Sequence, residues 1–307
     1  MPRQPSRALA LLEALLVSMV WGSSFIFVKL ALTDLGPLTI GGLRYFIGFA
    51  CLLPFLRRHN FSLTRPQWLR MALLGFSAYT LANGAMFWAL RFLPATTGSF
   101  LMSLITVTVL FGGVIWLREI PNRIQIFGIC IVLAGMLLFF SPGLKPGEPI
   151  GLAIFMLALL GFTLFGLLSR VAVIDRQVDT LTLTALPLAI GGGLLLAIAL
   201  PLEGIPSASL RTWGLVLLLA ALNTALGYVL YNHSLQSLQA FEMNVLLNLS
   251  PVWTVLLGWI LLGETLFNPQ WAGMLVVLVG IMLVQKRNYK NRSWRLSKPP
   301  GSTYFNK

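Results

Sequence analysis

The sequence predicts an all-α membrane protein in which ten transmembrane helices form two inverted-topology five-helix repeats around a central cavity. Three observations lead there. Of the 307 residues 57% are apolar and only 10% are charged, with a mean hydropathy of +0.83, against roughly 25% charged residues in soluble domains. The apolar residues fall into ten runs of about the length, roughly 17 to 25 residues, that a hydrocarbon layer about 30 Å thick demands of a helix. Finally, the stretch from Phe87 to Phe140 lies on Asn232 to Gln285, 145 positions later, without a gap. Glu119 falls on Glu264, Gln125 on Gln270, Gly128 on Gly273 and Gly135 on Gly280, so the chain contains an internal repeat.

The first unit, residues 8–140, takes its spans from positions 8–32, 38–56, 68–90, 95–117 and 123–140. The second, residues 151–286, takes them from 151–170, 181–201, 211–231, 240–262 and 269–286. Trp68 aligns with Trp213 at the same offset of 145, which draws helices three and eight into the match, and at an offset of 141 Lys29 falls on Arg170, at the ends of helices one and six. Breakers separate the spans: Asp34 to Pro37, Arg57 to Pro66, Pro94, Pro121 with Asn122, the linker 141–150, Asp175 to Asp179, Glu203 to Ser209, and Asn268 with Pro269. Helices are favoured over sheet because each closes its own backbone hydrogen bonds within lipid. The run from Ala8 to Leu32 is too long for the apolar core of a signal peptide, roughly 7 to 15 residues, and is read as a spanning helix.

Orientation follows from the basic residues. With the seven N-terminal residues in the cytoplasm, seventeen Lys and Arg fall on the inner segments, seven of them in the basic tail, and three on the outer loops: Arg91, Lys145 and Arg211. Both ends are therefore expected in the cytoplasm, with 141–150 outside and 287–307 inside. Five is odd, so the second unit lies upside down relative to the first, the plan by which inverted repeats exchange inner and outer gates around a midplane site.

The net charge of +13 sets topology and does not imply nucleic acid, because most of the chain is committed to the lipid bilayer. There is no phosphate loop, no HExxH and no Cys/His cluster, so neither a metal nor a cofactor is expected and enzyme readings are weak. Cys51 and Cys130 are read as packing residues. Nothing in the sequence distinguishes a monomer from a homodimer.

Polar groups inside spans are costly and become candidates for lining a pathway. Helix nine offers Asn244 and Asn248, four apart on one face, with Pro251 close by. Helix four offers Ser99 and Ser103 at positions that match. The same groups can serve as interhelical glue. Helices three and eight add Tyr79, Asn83 and Phe87 at i, i+4, i+8, and Tyr228; helix one adds Trp21 and Phe25. Aromatic rings beside amides suit a small-molecule substrate with an apolar body and a polar end. Trp88, Tyr231 and His233 sit near span ends, where an interfacial aromatic belt is the ordinary role.

Lys29 and Glu264 come to the outer end of the bundle, and Arg170 and Glu119 to the inner end. A gate is expected from each pair, Lys29 with Glu264 and Arg170 with Glu119, the alternative being that all four snorkel to the interface. Arg44, within helix two, attracts an anionic group or partners an acid. Glu242, at the inner start of helix nine, is a candidate for proton coupling or for helix capping.

These residues resemble the ten-helix, tandem EamA-type carriers of the drug/metabolite transporter superfamily over about residues 9–286. The carriers of the resemblance are WGSSFIFVK from Trp21 to Lys29, LRY from Leu43 to Tyr45, and LLNLSPVWTVLLGWILLGETL from Leu246 to Leu266. In the first unit Thr106 replaces Pro251 and Arg118 replaces Gly263, so helix four departs further from the pattern. The resemblance implies a plasma-membrane exporter of small metabolites, with amino acids, aromatic ones among them, as the leading class. Organic cations are the second class, and a membrane enzyme acting on lipid head groups the alternative from outside transport.

Overall fold

In the computed structural model, residues 6–56, 63–117, 121–174, 180–234, 237–238, 243 and 246–285 are described, and among them every regular element is helical. We number the helices α1 (Arg7–Ala31), α2 (Pro37–Leu56), α3 (65–89), α4 (95–117), α5 (Arg123–Phe139), α6 (Glu148–Ile174), α7 (Thr180–Glu203), α8 (210–234), α9 (Ser250–Leu262) and α10 (Asn268–Gln285). Six of them contain runs long and apolar enough to cross a membrane, and α5, α9 and α10 are shorter apolar helices. Local chemistry explains the ends. Ser6, Asn122 and Ser209 accept first-turn amides as N-caps, and Gly263, at φ 65°, closes α9 in the left-handed region.

The outside of the bundle is apolar. Ile115, Leu137, Trp259 and Leu275 are all exposed, which suits contact with lipid and would be untenable over so wide a surface in water. Cys51 and Cys130, expected to pack inside, also lie on this exposed surface; in lipid an exposed thiol carries no desolvation penalty that would drive it inward.

Glycine contacts fix how the helices run past one another. Gly128 abuts Gly280, and Gly135 abuts Gly273 and Val277. As α5 advances α10 recedes, so the two are antiparallel. The contact is reciprocal: Gly128 faces the repeat counterpart of Gly135, and Gly135 that of Gly128. A Cβ placed on Gly135 would lie 2.9 Å from the Gly273 carbonyl oxygen, and one on Gly273 only 2.7 Å from that of Gly135. α2 and α7 are likewise antiparallel, with Gly41 against Leu195 and Gly192 against Tyr45 and Phe46.

The remaining contacts come in matched sets. α1 runs parallel to α9 through Ser18 with Trp253 and Gly22 with Thr254, and α6 runs parallel to α4 through Thr163 with Thr108 and Leu167 with Gly112. α3 meets α7 at Thr80 and Gly191, as α8 meets α2 at Thr224 and Gly48. Exchanging the first five helices for the second five maps each of these contacts onto another of the set. The central core is built where the two groups of five meet, from Ile26, Phe87, Leu90, Leu101, Phe155 and Leu188 among others.

A side chain at the α5–α10 crossing has no room, because its neighbours are backbone atoms. Gly135→Leu is expected to cost about 1–3 kcal/mol, the usual range for overpacking, read as a lowered denaturation midpoint of the purified protein. Gly214→Leu, where an added Cβ meets nothing, serves as the control and is expected to leave the midpoint unchanged.

Candidate functional site

Four of the helices facing this core are irregular, and the irregularities are matched between repeats. α3 is π-helical over Phe76–Asn83, and α8 over Leu219–Leu226. α4 tightens at Ser103 and Leu104, where Val107 N–H donates to the Leu104 carbonyl at 2.9 Å. α9 tightens 145 positions later, at Asn248 and Leu249, where Val252 N–H donates to the Leu249 carbonyl at 3.0 Å. Such departures from the α-ladder free backbone groups and re-aim side chains, and they concentrate at functional sites.

Between them sits Arg44. Its side chain is buried, with Nη1 donating to Ser24 Oγ at 2.5 Å and Nε to Thr224 Oγ1 at 2.9 Å. The guanidinium carbon lies 5.2 Å from the centre of the Tyr45 ring and 5.8 Å from that of Phe87, within cation–π range. No carboxylate among the described residues pairs with it, so the acid partner allowed for Arg44 in the sequence is replaced by two hydroxyls. A guanidinium has five N–H donors in a fixed fork, and these two contacts use a minority of them.

The predicted aromatics surround this cation. Tyr79 stacks near Tyr45 at 4.8 Å between centroids and hydrogen-bonds through Oη to Tyr228 Oη at 3.2 Å. Phe87 lies parallel to Tyr45 at 6.3 Å. Trp21 meets Tyr228 edge-on at 5.6 Å and donates Nε1–H to the Asn223 carbonyl at 3.1 Å. Phe25 turns away from this group and packs against Gly98. Asn83 is redirected too: within the π-helical segment its Nδ2 donates to the Ala78 carbonyl, five positions back, at 2.6 Å, so the i, i+4, i+8 face expected of a regular helix is interrupted.

Among the described residues two buried amide atoms have no partner, Asn248 Nδ2 and Asn223 Oδ1. Asn248 was expected to face a pathway. Asn223, fully buried, donates Nδ2–H to the Val20 carbonyl and to Ser23 Oγ, which leaves its oxygen unanswered. Ser99 joins the repeats by accepting from Thr254 Oγ1 at 2.9 Å, so α4 and α9 touch here with no open space between them; Ser103 is buried at the tightened turn. Two clefts of about 310 and 150 Å³ lie at one end of the bundle, around Asp34.

That end is held by charge. Lys29 and Glu264 do not pair with each other as anticipated; both grip one loop. Lys29 Nζ donates to the carbonyls of Leu90 and Leu93 at 2.6 and 2.7 Å, at the end of α3. Glu264 accepts from the amides of Ala95 and Thr96 at 2.8 and 3.0 Å, at the start of α4. Orphan carbonyls attract a cation and orphan amides an anion, so each charge is better satisfied by a helix end than by the other. Glu203 repeats the pattern on the amides of Leu38 and Thr39, and Gly36 permits its approach, since a Cβ there would lie 2.1 Å from the carboxyl carbon. Asp34 Oδ2 accepts from Ser209 Oγ and Thr212 Oγ1, both at 2.6 Å. Each of the three carboxylates belongs to one unit and binds a helix start of the other. Glu119, Glu242 and Asn244, and the Arg170 side chain, lie outside the described residues.

Sequence reasoning passed over Ser24, Tyr45, Asn223, Thr224, Asp34 and Glu203 as site residues. The rule that singles out intramembrane polar groups covers Ser24, Asn223 and Thr224. The capping carboxylates carry no local signal, because their partners are 164 to 178 positions away.

A carboxylate cap is worth about 1 kcal/mol, a factor of about five in an equilibrium. A cysteine at Thr96 is therefore expected to react with a water-soluble maleimide about fivefold faster when Glu264→Ala removes the cap. Equal rates would show that the contact does not hold this end closed. The hydrogen bonds from Ser209 and Thr212 hold the Asp34 carboxyl down at about 2, below its usual 3.8. A depressed carboxyl stabilises above its ordinary value and loses that contribution only as pH falls through the lowered one. Closure through Asp34 is thus expected to be flat from about pH 5 to about pH 9 in the same labelling assay, run with Asp34→Asn as reference.

Comparison with known proteins assigns this arrangement. The chain is 27% identical over 285 residues to a probable amino-acid metabolite efflux pump of Salmonella typhimurium, covering 88% of this chain and 92% of the relative. It is 24% identical over 278 residues to the uncharacterized transporter YoaV of Bacillus subtilis (87% and 93%). It is 25% identical over 288 residues to the uncharacterized inner membrane transporter YedA of Escherichia coli (88% of each). A protein of known crystal structure, 15% identical, superposes with a TM-score of 0.65 over 91% of this chain and 98% of its own, a likeness of fold. The model of the EamA-like transporter family matches twice, over residues 8–141 and 149–285, on the two halves that the helix contacts relate. The chain belongs to the EamA-like transporter family.

Proposed function

We propose that this chain is a secondary transporter that exports a small amphipathic metabolite, an amino acid in the first instance, by alternating access between two inverted five-helix repeats. The observation that carries the substrate class is Arg44. A guanidinium in the interior of a membrane protein, answered among the described residues by the hydroxyls of Ser24 and Thr224, has an unmet demand for an anion, and its fork matches a carboxylate in bidentate fashion. Tyr45, Tyr79, Phe87, Trp21 and Tyr228 form the aromatic wall that an apolar side chain would meet. Asn248 Nδ2 has a donor to spare. The relative from Salmonella is named for amino-acid metabolite efflux, in keeping with this chemistry.

The directions of the helix contacts support ten successive crossings with inverted repeats. Antiparallel pairs, α5 with α10 and α2 with α7, join an odd to an even helix, while α1 with α9 and α4 with α6 are parallel. Both termini then lie in the cytoplasm, as the basic residues indicate. The end held by Asp34, Glu203 and Glu264 is the outer one, so the conformation described is closed to the outside. Alternating access would require these contacts to break in one half of the cycle, with Arg170 and Glu119 acting in the equivalent place at the inner end.

Efflux of organic cations is the competing reading. It shares the aromatic wall, but a buried Arg44 among the same rings repels a cation, and this favours the carboxylate.

Hydrogen bonds to a charged group contribute about 1.5–3 kcal/mol, roughly ten- to hundredfold in binding. In proteoliposomes, Arg44→Gln is expected to weaken phenylalanine exchange by at least about tenfold. Arg44→Lys is expected to recover only part of it, since a point charge lacks the fork. Exchange of tetraphenylphosphonium but not of phenylalanine by the wild type would replace this reading with the cation one.

A further inference from the structure

The end of the bundle opposite Asp34 holds an ion pair of another kind. Glu13 lies about two turns into α1 and is buried, yet it carries an acid into an apolar helix. Its two carboxylate oxygens face Nδ1 of His233 on α8, at 2.7 and 2.9 Å. The histidine side chain is 39% exposed and the glutamate side chain 10%, so the imidazole stands between the buried acid and the surroundings. The pair joins the first unit to the second.

We infer that Glu13 and His233 form a proton-binding site that couples proton exchange to opening of this end of the bundle. The proton binding stands by itself; the coupling rests on the transport reading above. Imidazole is the side chain whose ordinary titration falls near neutrality, and a hydrogen-bonded acid–imidazole pair takes up and releases protons as a unit. One proton enters from water onto the exposed ring. It is shared across Nδ1 and the Glu13 oxygens, and leaves by the same ring, so no other reactant is needed. With the ring protonated and the acid ionised, α1 and α8 are drawn together. When that proton leaves, the ring is neutral and the acid ionised, and the attraction falls to a single hydrogen bond.

The groups around the pair leave this role to it. On α1 the next charged residue is Arg7, which has an interaction of its own; Lys29 is sixteen positions on, about 24 Å along the helix, and bonded to α3. On α8 the titratable neighbours are Tyr228 and Tyr231, both in contact with Trp21, while Arg211 lies at the far end beside Asp34. α2 contributes Arg44 and Tyr45 near the centre, and α4 and α9 contribute no acid or base within their described lengths. The opposite end closes through hydrogen bonds to Asp34, whose carboxyl is held down at about 2 and stays ionised in the physiological range.

The test uses the full chain in lipid nanodiscs and the near-isosteric Glu13→Gln, with unchanged elution on size exclusion as the check of folding. Infrared difference spectra between about pH 5 and about pH 9, the range in which imidazole titrates, are expected to show imidazole bands in the wild type together with a shift of the carboxylate stretch of its hydrogen-bonded acid. The carboxylate shift should vanish in Glu13→Gln, and both features in His233→Gln. Identical spectra in wild type and Glu13→Gln would overturn the site. In proteoliposomes, phenylalanine exchange by Glu13→Gln should stay within about twofold of wild type, while accumulation driven by a pH gradient should fall at least about tenfold. Equal gradient responses of wild type and variant would overturn the coupling. If the wild type moves no phenylalanine at all, the substrate reading fails, and the infrared result still decides the proton site.

Discussion

A helix that starts inside a protein leaves its first amides without partners, and in a membrane there is little water to supply them. At one end of this bundle the partners come from the other repeat. Glu203 closes the start of α2, Glu264 the start of α4 and Asp34 the start of α8. A local N-cap would satisfy the same amides without joining anything. Delivering the acceptor from across the repeat boundary makes the solvation of three helix ends depend on how the two halves are docked, which turns a backbone requirement into a conformational latch.

The centre is governed by a different economy. Cations are costly in the hydrocarbon region, and Arg44 is tolerated because Ser24, Thr224 and two aromatic faces share the burden. The π-helical segments of α3 and α8 and the tightened turns of α4 and α9 supply the geometry. Tyr79 and Tyr228 meet because both helices loosen at corresponding levels, and Asn83 is withdrawn to its own backbone for the same reason. Direct contacts cross the centre between the repeats, among them Thr254 donating to Ser99.

The two ends therefore differ in what can release them. The end around Asp34 is held by hydrogen bonds to a carboxyl that stays charged through the physiological range, and yields to mechanical or ligand-driven rearrangement. The end around Glu13 is held by a pair whose charge depends on protons. Between them α5 and α10 are locked backbone to backbone by Gly128, Gly135, Gly273 and Gly280, a rigid crossing about which the other helices can rearrange.

Much of this was legible in the linear sequence. Apolar runs marked the helices because hydrocarbon imposes a length, and the offset of 145 revealed the repeat because Glu, Gln and Gly recur in register. Arg44, Asn248, Tyr79, Phe87 and Tyr228 could be singled out because a polar or aromatic group in a span needs a reason. What the sequence could not convey is which partner each residue meets. Lys29 and Glu264 read as an ion pair, since opposite charges at one end attract; the fold gave each a helix terminus instead, because unpaired carbonyls and amides lay closer. Asn83 read as part of a regular face, and a π-turn removed it. Glu13 and His233 are 220 positions apart, and only the antiparallel docking of α1 on α8 brings them together. Composition and periodicity determined the helices, their number of candidates and the repeat; tertiary packing decided every charge–dipole contact, because those depend on distances of a few ångströms between segments that the chain itself leaves far apart.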